Sequence, residues 1–172
     1  LKVAELFSYK EIDGKWRAFK VRRLSFVPLE YTDRNIEWAS NKILETLDQS
    51  YLSKRYKEEN KINPTYGHCY HVTQAMFYMF DTDLLVPMRG EDHRNEYHWW
   101  LQDGEKIVDP TANQYYTRGE LPPYENGKKS QWYAWQRQPS ARAFRLIVNV
   151  LDNVIDSTEL VVNEHHNSLI SL

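Results

Sequence analysis

The stretch Tyr97-His98-Trp99-Trp100-Leu101-Gln102-Asp103-Gly104-Glu105-Lys106-Ile107-Val108-Asp109-Pro110-Thr111 decides how this chain is read. Two β-favouring runs flank an Asp-Gly pair, which tolerates the positive φ of a tight hairpin turn. Pro110 lacks an N–H and stops the second run. The pattern predicts strands over residues 97–102 and 106–109, with the turn at Asp103-Gly104. His98 lies five positions before that turn and Asp109 five positions after it. Near cross-strand partners are within side-chain reach of each other, so an imidazole and a carboxylate are expected to meet.

Upstream, Asn63-Pro64-Thr65-Tyr66-Gly67 breaks the chain, and residues 68–80 read as a helix. That helix is apolar over much of its circumference, the mark of a central, buried element. Cys69 stands at its start. Unpaired N–H groups and the positive end of the helix dipole favour a thiolate there, and the same N–H groups can hold an oxyanion. A thiolate attacking a carbonyl needs an imidazole partner, and the imidazole needs an orienting group. Cys69, His98 and Asp109 supply these three parts.

Further out, residues 1–29 read as a hairpin turning at Asp13-Gly14, and residues 33–52 as a helix capped by Thr32 or Asp33. Ile36, Ala39, Ile43, Leu44 and Leu47 mark its apolar face. Residues 53–61 are charged and read as solvated. Residues 84–88 read as a short strand and 89–96 as a loop. Residues 111–138 form a long aromatic-rich loop, and loops of that length in compact domains carry function or disorder. Its rings, among them Tyr115, Tyr116, Tyr124, Trp132, Tyr133 and Trp135, either cover a substrate cleft or pack the loop onto the body. Pro139-Ser140 opens a last helix to Leu151, with Ala143, Phe144, Ile147, Val148 and Leu151 on one face. A single domain over residues 1–156 is expected, followed by a weakly anchored segment, 157–172.

Composition narrows the function. A length of 172 residues with 41% apolar ones is enough for one buried core. A net charge of −2 argues against a nucleic-acid binder, which carries a basic excess. Mean hydropathy is −0.72 and no long apolar run exists, so no membrane partner is expected. One cysteine excludes an internal disulfide framework and fits a reducing, cytoplasmic compartment. His68 and His71 share a helix face, and His93 or His98 could join them with Cys69 around zinc. That pattern lacks the close-spaced pairs of a strong zinc site, so neither metal nor cofactor is expected.

A cysteine opening a helix, followed by His98-Trp99-Trp100-Leu101 and Ile107-Val108-Asp109-Pro110-Thr111, resembles the transglutaminase-like superfamily of cysteine enzymes. The likeness spans Gly67 to Thr111. The chain is also similar to uncharacterised proteins of bacteria and their phages. Those share Gly67-His68-Cys69-Tyr70, the His-Trp-Trp-Leu strand and Asp-Pro-Thr-Ala-x-Gln over residues 109–114. They also share Pro-Pro-Tyr-Glu-x-Gly over 122–127 and Pro-Ser-x-Arg-Ala over 139–143. The resemblance implies an α+β fold of papain-like core, with the cysteine helix packed on an antiparallel sheet carrying His98 and Asp109. It implies acyl transfer from an amide, ester or thioester of a protein, peptide or small molecule, to water or to an amine. Superfamily members often place Trp or Gln before the cysteine to complete the oxyanion hole. Here Asn63, Tyr66 and His68 stand in that region, and Trp100 and Gln114 are further oxyanion or substrate candidates. The alternatives are a non-catalytic binding module on the same scaffold and a zinc-dependent hydrolase.

Overall fold

The computed structural model describes residues 2–133, 138–151, 155–157 and 161–164. In chain order the elements begin with β1 (Lys2–Ile12), β2 (Lys15–Phe26), α1 (Asp33–Thr46), α2 (Lys57–Asn60) and α3 (Cys69–Met79). There follow β3 (Val86–Glu91), β4 (Tyr97–Asp103), β5 (Lys106–Val108), α4 (Asn113–Tyr116), β6 (Lys128–Lys129), α5 (Ala141–Leu151), β7 (Ile155–Ser157) and β8 (Val161–Glu164). The fold is mixed α+β. No helix among the described residues is long and apolar enough to cross a membrane.

The N-terminal hairpin forms as its turn residues dictate. Asp13 and Gly14 take φ of 54° and 70°, and Ile12 pairs with Lys15 across them. Two successive positive-φ residues match the right-handed twist of the strands they join. The free edge of β2 is covered by β7 and β8, both antiparallel to it. Part of the segment expected to be weakly anchored, residues 161–164, therefore pairs in a sheet. Residues 158–160 and 165–172, with His165 and His166, lie outside the described residues, as does Trp135.

The second sheet carries His98 on β4 and leads from β5 into Asp109. Its strand order is β5-β4-β3-β6, all antiparallel. Two expectations are corrected here. Residues 89–91, read as loop, extend β3, because β4 offers Arg89, Gly90 and Glu91 a pairing partner at each position. The loop over residues 111–138 is not free chain either. It contains α4, a short helical turn at Tyr124–Asn126, and β6, whose Lys128 and Lys129 pair with Arg89 and Met88. Two lysines on an edge strand also discourage further strand pairing.

Helix α3 is the centre of the core. Val72, Ala75, Met76 and Met79 are fully buried with Trp99, Leu101, Phe144, Leu146 and Ile147. A second tie is polar: the Thr73 hydroxyl donates to the Trp99 carbonyl at 3.0 Å. Thr73 is one turn beyond Cys69, so this bond orients the helix face that also holds the cysteine. Helix α1 is shorter than the 33–52 expected. Leu47 is extended, and the Asp48 side chain accepts from the Ser50 N–H, starting a separate turn. Ile36, Ala39 and Ile43 are buried as the periodicity requires, but Leu44, about 100° round the helix from Ile43, is exposed. Residues 53–61 are also more ordered than expected. They hold α2, whose buried Asn60 donates to the carbonyls of Pro64 and Tyr66 and so shapes the approach to Cys69.

Candidate active site

Gly67 delivers the chain to Cys69. Its φ is +81°, and a Cβ there would lie 2.8 Å from Tyr56 Cβ. Left-handed backbone and close packing both demand glycine. Gly67→Ala is expected to lower stability by about 2 kcal/mol or more through combined strain and overpacking. A denaturant titration showing wild-type stability would refute that account of the turn.

Cys69 is the first residue of α3, where the leading N–H groups have no intrahelical carbonyl. It is 8% exposed, and its thiol donates to the Tyr97 carbonyl at 3.8 Å. His98 is fully buried on β4. Its Nε2 lies 2.6 Å from Asp109 Oδ2. The Cys69 sulfur acts on the same ring as a hydrogen-bonding and charge neighbour. Nδ1 lies 3.0 Å from Gln114 Nε2. Burial disfavours a charge on this ring, but Asp109 and Cys69 together outweigh it and hold the imidazole above its ordinary pKa.

The hairpin makes this contact in a different register from the one expected. The pairs are Leu101 with Val108, Gln102 with Ile107 and Asp103 with Lys106. Gly104, at φ +56°, and Glu105 therefore form the turn, and the continued ladder would set position 109 opposite Trp100, not His98. The shift is an even number of positions, so His98 and Asp109 keep the same sheet face and meet diagonally.

Asp109 is held by more than the histidine. Thr111 donates to its Oδ1 from both backbone N–H and hydroxyl, each at 3.0 Å. The Tyr124 hydroxyl donates to Oδ2 at 2.8 Å. Two glycines let the Tyr124 loop lie this close. A Cβ on Gly127 would sit 2.4 Å from Trp100, and one on Gly90 would sit 2.5 Å from the Pro123 carbonyl. Trp100 is thereby sandwiched, with His98 stacked at 5.9 Å and Tyr124 edge-on at 5.1 Å. Tyr115 closes another side of His98, at 5.0 Å, and its hydroxyl donates to Asp92. Burial, then the neighbouring carboxylates, push the Tyr115 and Tyr124 hydroxyls well above their usual pKa. Tyr124 and Thr111 as partners of Asp109 were missed in the sequence. The one available signal was the Pro-Pro-Tyr-Glu-x-Gly run.

The remaining candidates have other employment. Asn63 donates to the Gln114 carbonyl at 2.7 Å. The Tyr66 hydroxyl donates to Glu96 at 2.8 Å. The Trp100 indole reaches Gln102 within the strand. His68 pairs with His71, Nδ1 to Nε2 at 2.9 Å, and does not serve as an oxyanion donor in this arrangement. Of these candidates Gln114 makes a polar contact with the ring: its Nε2 lies 3.0 Å from His98 Nδ1. The histidines are thus dispersed, His93 lying at the surface beside Glu120. Among the described residues no three His, Cys, Asp or Glu side chains form a metal-holding group, so the zinc alternative has no ligand set.

Most aromatic residues of the 111–138 segment pack instead of lining an open cleft. Trp132 and Tyr133 build a cluster with Trp99 and Tyr70, and Tyr116 is exposed. A cleft of about 590 Å³ lies beyond Asn63, walled by Glu58, Glu59, Arg94, Thr117 and Arg118. Its arginines are already paired with Glu59 and Glu120, and no triad residue lines it. No family model, curated protein or solved structure matches this chain.

Proposed function

We propose that this chain is a cysteine-dependent acyl-transfer enzyme of transglutaminase-like type, with Cys69 as nucleophile, His98 as proton carrier and Asp109 as its orienting carboxylate. The observation that carries the reading is the buried 2.6 Å contact of Asp109 with His98 Nε2, beside a cysteine at the head of a helix. In the reaction the thiol proton passes to His98 Nδ1 as sulfur bonds to the substrate carbonyl carbon. The carbonyl π electrons move to oxygen, where N–H groups at the start of α3 stabilise the charge. Collapse expels the amine, alcohol or thiol leaving group, which takes the proton from Nδ1. Water or an amine then attacks the acyl-cysteine, giving its proton to the same nitrogen, and the thiol is restored. Asp109 stays ionised throughout and fixes the ring so that Nδ1 faces the sulfur.

The substrate class is an amide, ester or thioester carbonyl carried on a protein, peptide or small molecule. An activated aryl ester tests the reading directly. Mass spectrometry should find one acyl group on the Cys69 peptide and none in Cys69→Ala. Acylation confined to lysines, or equal labelling of His98→Ala, would leave Cys69 an ordinary thiol. That result would favour the second reading, a binding module on the same scaffold. The second reading draws on the near-complete burial of Cys69 and His98.

A further inference from the structure

The Gln114 side chain is fixed at both ends of its residue. Its main-chain carbonyl accepts from Asn63, and its Nε2 lies 3.1 Å from the Thr111 carbonyl as well as 3.0 Å from His98 Nδ1. The Thr111 carbonyl can only accept, so the amide atom beside it must be the NH₂ group. A flipped amide would set two acceptors against each other. Thr111 is itself pinned through Asp109 Oδ1, so the carbonyl cannot easily move aside. The second amide hydrogen therefore points at His98 Nδ1, which must offer a lone pair. An imidazolium would present N–H to N–H there.

We propose that Gln114 is a positioning residue that caps His98 Nδ1, locks the ring as the neutral Nε2–H tautomer, and keeps the Cys69–His98 pair uncharged until its amide is drawn away. The purpose of the cap rests on the acyl-transfer reading; its geometry does not. Two demands meet on one ring. Asp109 and Cys69 pull it toward imidazolium, and the seated amide forbids the proton on Nδ1. A competing acceptor settles the contest. A substrate carbonyl oxygen that takes the Gln114 N–H frees the Nδ1 lone pair, and the thiol proton moves from sulfur to Nδ1. The thiolate then arises when a carbonyl is present to be attacked, and the buried thiol is spared stray electrophiles in the empty site. The groups facing the ring are Asp109, Cys69, Tyr115 from α4 and, through Asp109, Tyr124. Both tyrosines are pushed upward and stay protonated near neutral pH, so the cap is the variable part.

Protein labelled with ¹⁵N-histidine reads the tautomer without any variant. At about pH 7 the His98 signal, identified by its absence in His98→Ala, should show a protonated Nε2 and a bare Nδ1. An imidazolium or an Nδ1–H tautomer in the wild type overturns the proposal. Gln114→Met keeps the length and removes the donor. It should convert the ring to imidazolium and speed Cys69 alkylation at pH 6.5 by about tenfold. A slower or unchanged rate in folded Gln114→Met also overturns it. Should the variant not fold, the wild-type spectrum still decides. If the tautomer is as expected but adding His98→Ala to Gln114→Met leaves the alkylation rate unchanged, the acyl-transfer reading falls and the cap stands.

Discussion

In a Gln114→Met background, where the cap is gone, His98→Ala is expected to slow iodoacetamide alkylation of Cys69 at pH 6.5 by roughly one to two orders of magnitude. The thiolate is the reacting species, and an unassisted thiol with a pKa of about 8.5 is only about 1% ionised at that pH. His98 raises the reactive fraction by taking the proton, and its capacity to do so comes from Asp109 at 2.6 Å. In the same background Asp109→Asn should fall between the parent and His98→Ala. An amide can still accept from Thr111, but it then turns its NH₂ toward His98 Nε2, which must become an acceptor. The ring is driven to the Nδ1–H tautomer, which cannot receive the thiol proton. The measurement is a rate profile from about pH 5.5 to 9 on proteins shown to be folded, since above pH 8.5 any accessible thiol reacts. Superimposable profiles for all three proteins would remove His98 and Asp109 from the chemistry.

Acid is expected to destabilise the protein well before its carboxylates protonate. His68 is fully buried and His71 is nearly so, and Tyr51 stacks on His71 at 5.9 Å. Burial lowers His68 to about 4, against a weak opposing pull from Asp48. Burial lowers His71 to about 3, helped by His68, Arg142 and Arg145. Among the described residues His68 Nε2 has no hydrogen-bond partner, so a proton placed there would be buried unsatisfied. The sign follows from linkage. Native pKa values below the unfolded 6.5 mean that the unfolded chain binds more protons between those limits, so stability falls as pH drops through that window. At about 1.4 kcal/mol per pH unit for each ring, the loss between pH 7 and 4.5 is roughly 3 to 5 kcal/mol. That is a large share of the stability of an ordinary domain. Urea titrations at the two pH values check it, with the double variant His68→Leu, His71→Phe as control. The control should lose most of the pH dependence, because every other titrating group is common to both proteins. Equal losses in the two proteins would exclude the pair as the acid-sensitive element.

What could be read from the chain alone was local and periodic. Asp13-Gly14 announces its hairpin, because few residues other than Gly, Asn and Asp tolerate two positive φ values in succession. The buried faces of α1 and α5 follow from apolar spacing, since a helix must hide one stripe and places it at fixed intervals, whereas α3, apolar over much of its circumference, is buried on most sides. Cys69 before a helix, with His98 and Asp109 on a hairpin, was legible because alternation fixes which strand residues share a face. That parity survived the shift in register.

Tertiary structure alone decided what each of those groups can do. Gln114 comes to His98, Tyr124 to Asp109, and Asn63 to the Gln114 carbonyl across 16, 15 and 51 positions of chain. No periodicity couples residues so far apart; only the packing of a loop on a strand brings them together. The same packing leaves Lys128 and Lys129 as an edge strand and Gly90 and Gly127 as the clearance over Trp100. It also turns His68 and His71, a suggestive metal pair on paper, into two neutral rings bonded to each other. Cys69, His98 and Asp109 can be picked out in the sequence, but their contacts are a property of the fold. The Gln114 amide beside Nδ1 and the Asp109 carboxylate beside Nε2 come together only after the chain has closed on itself.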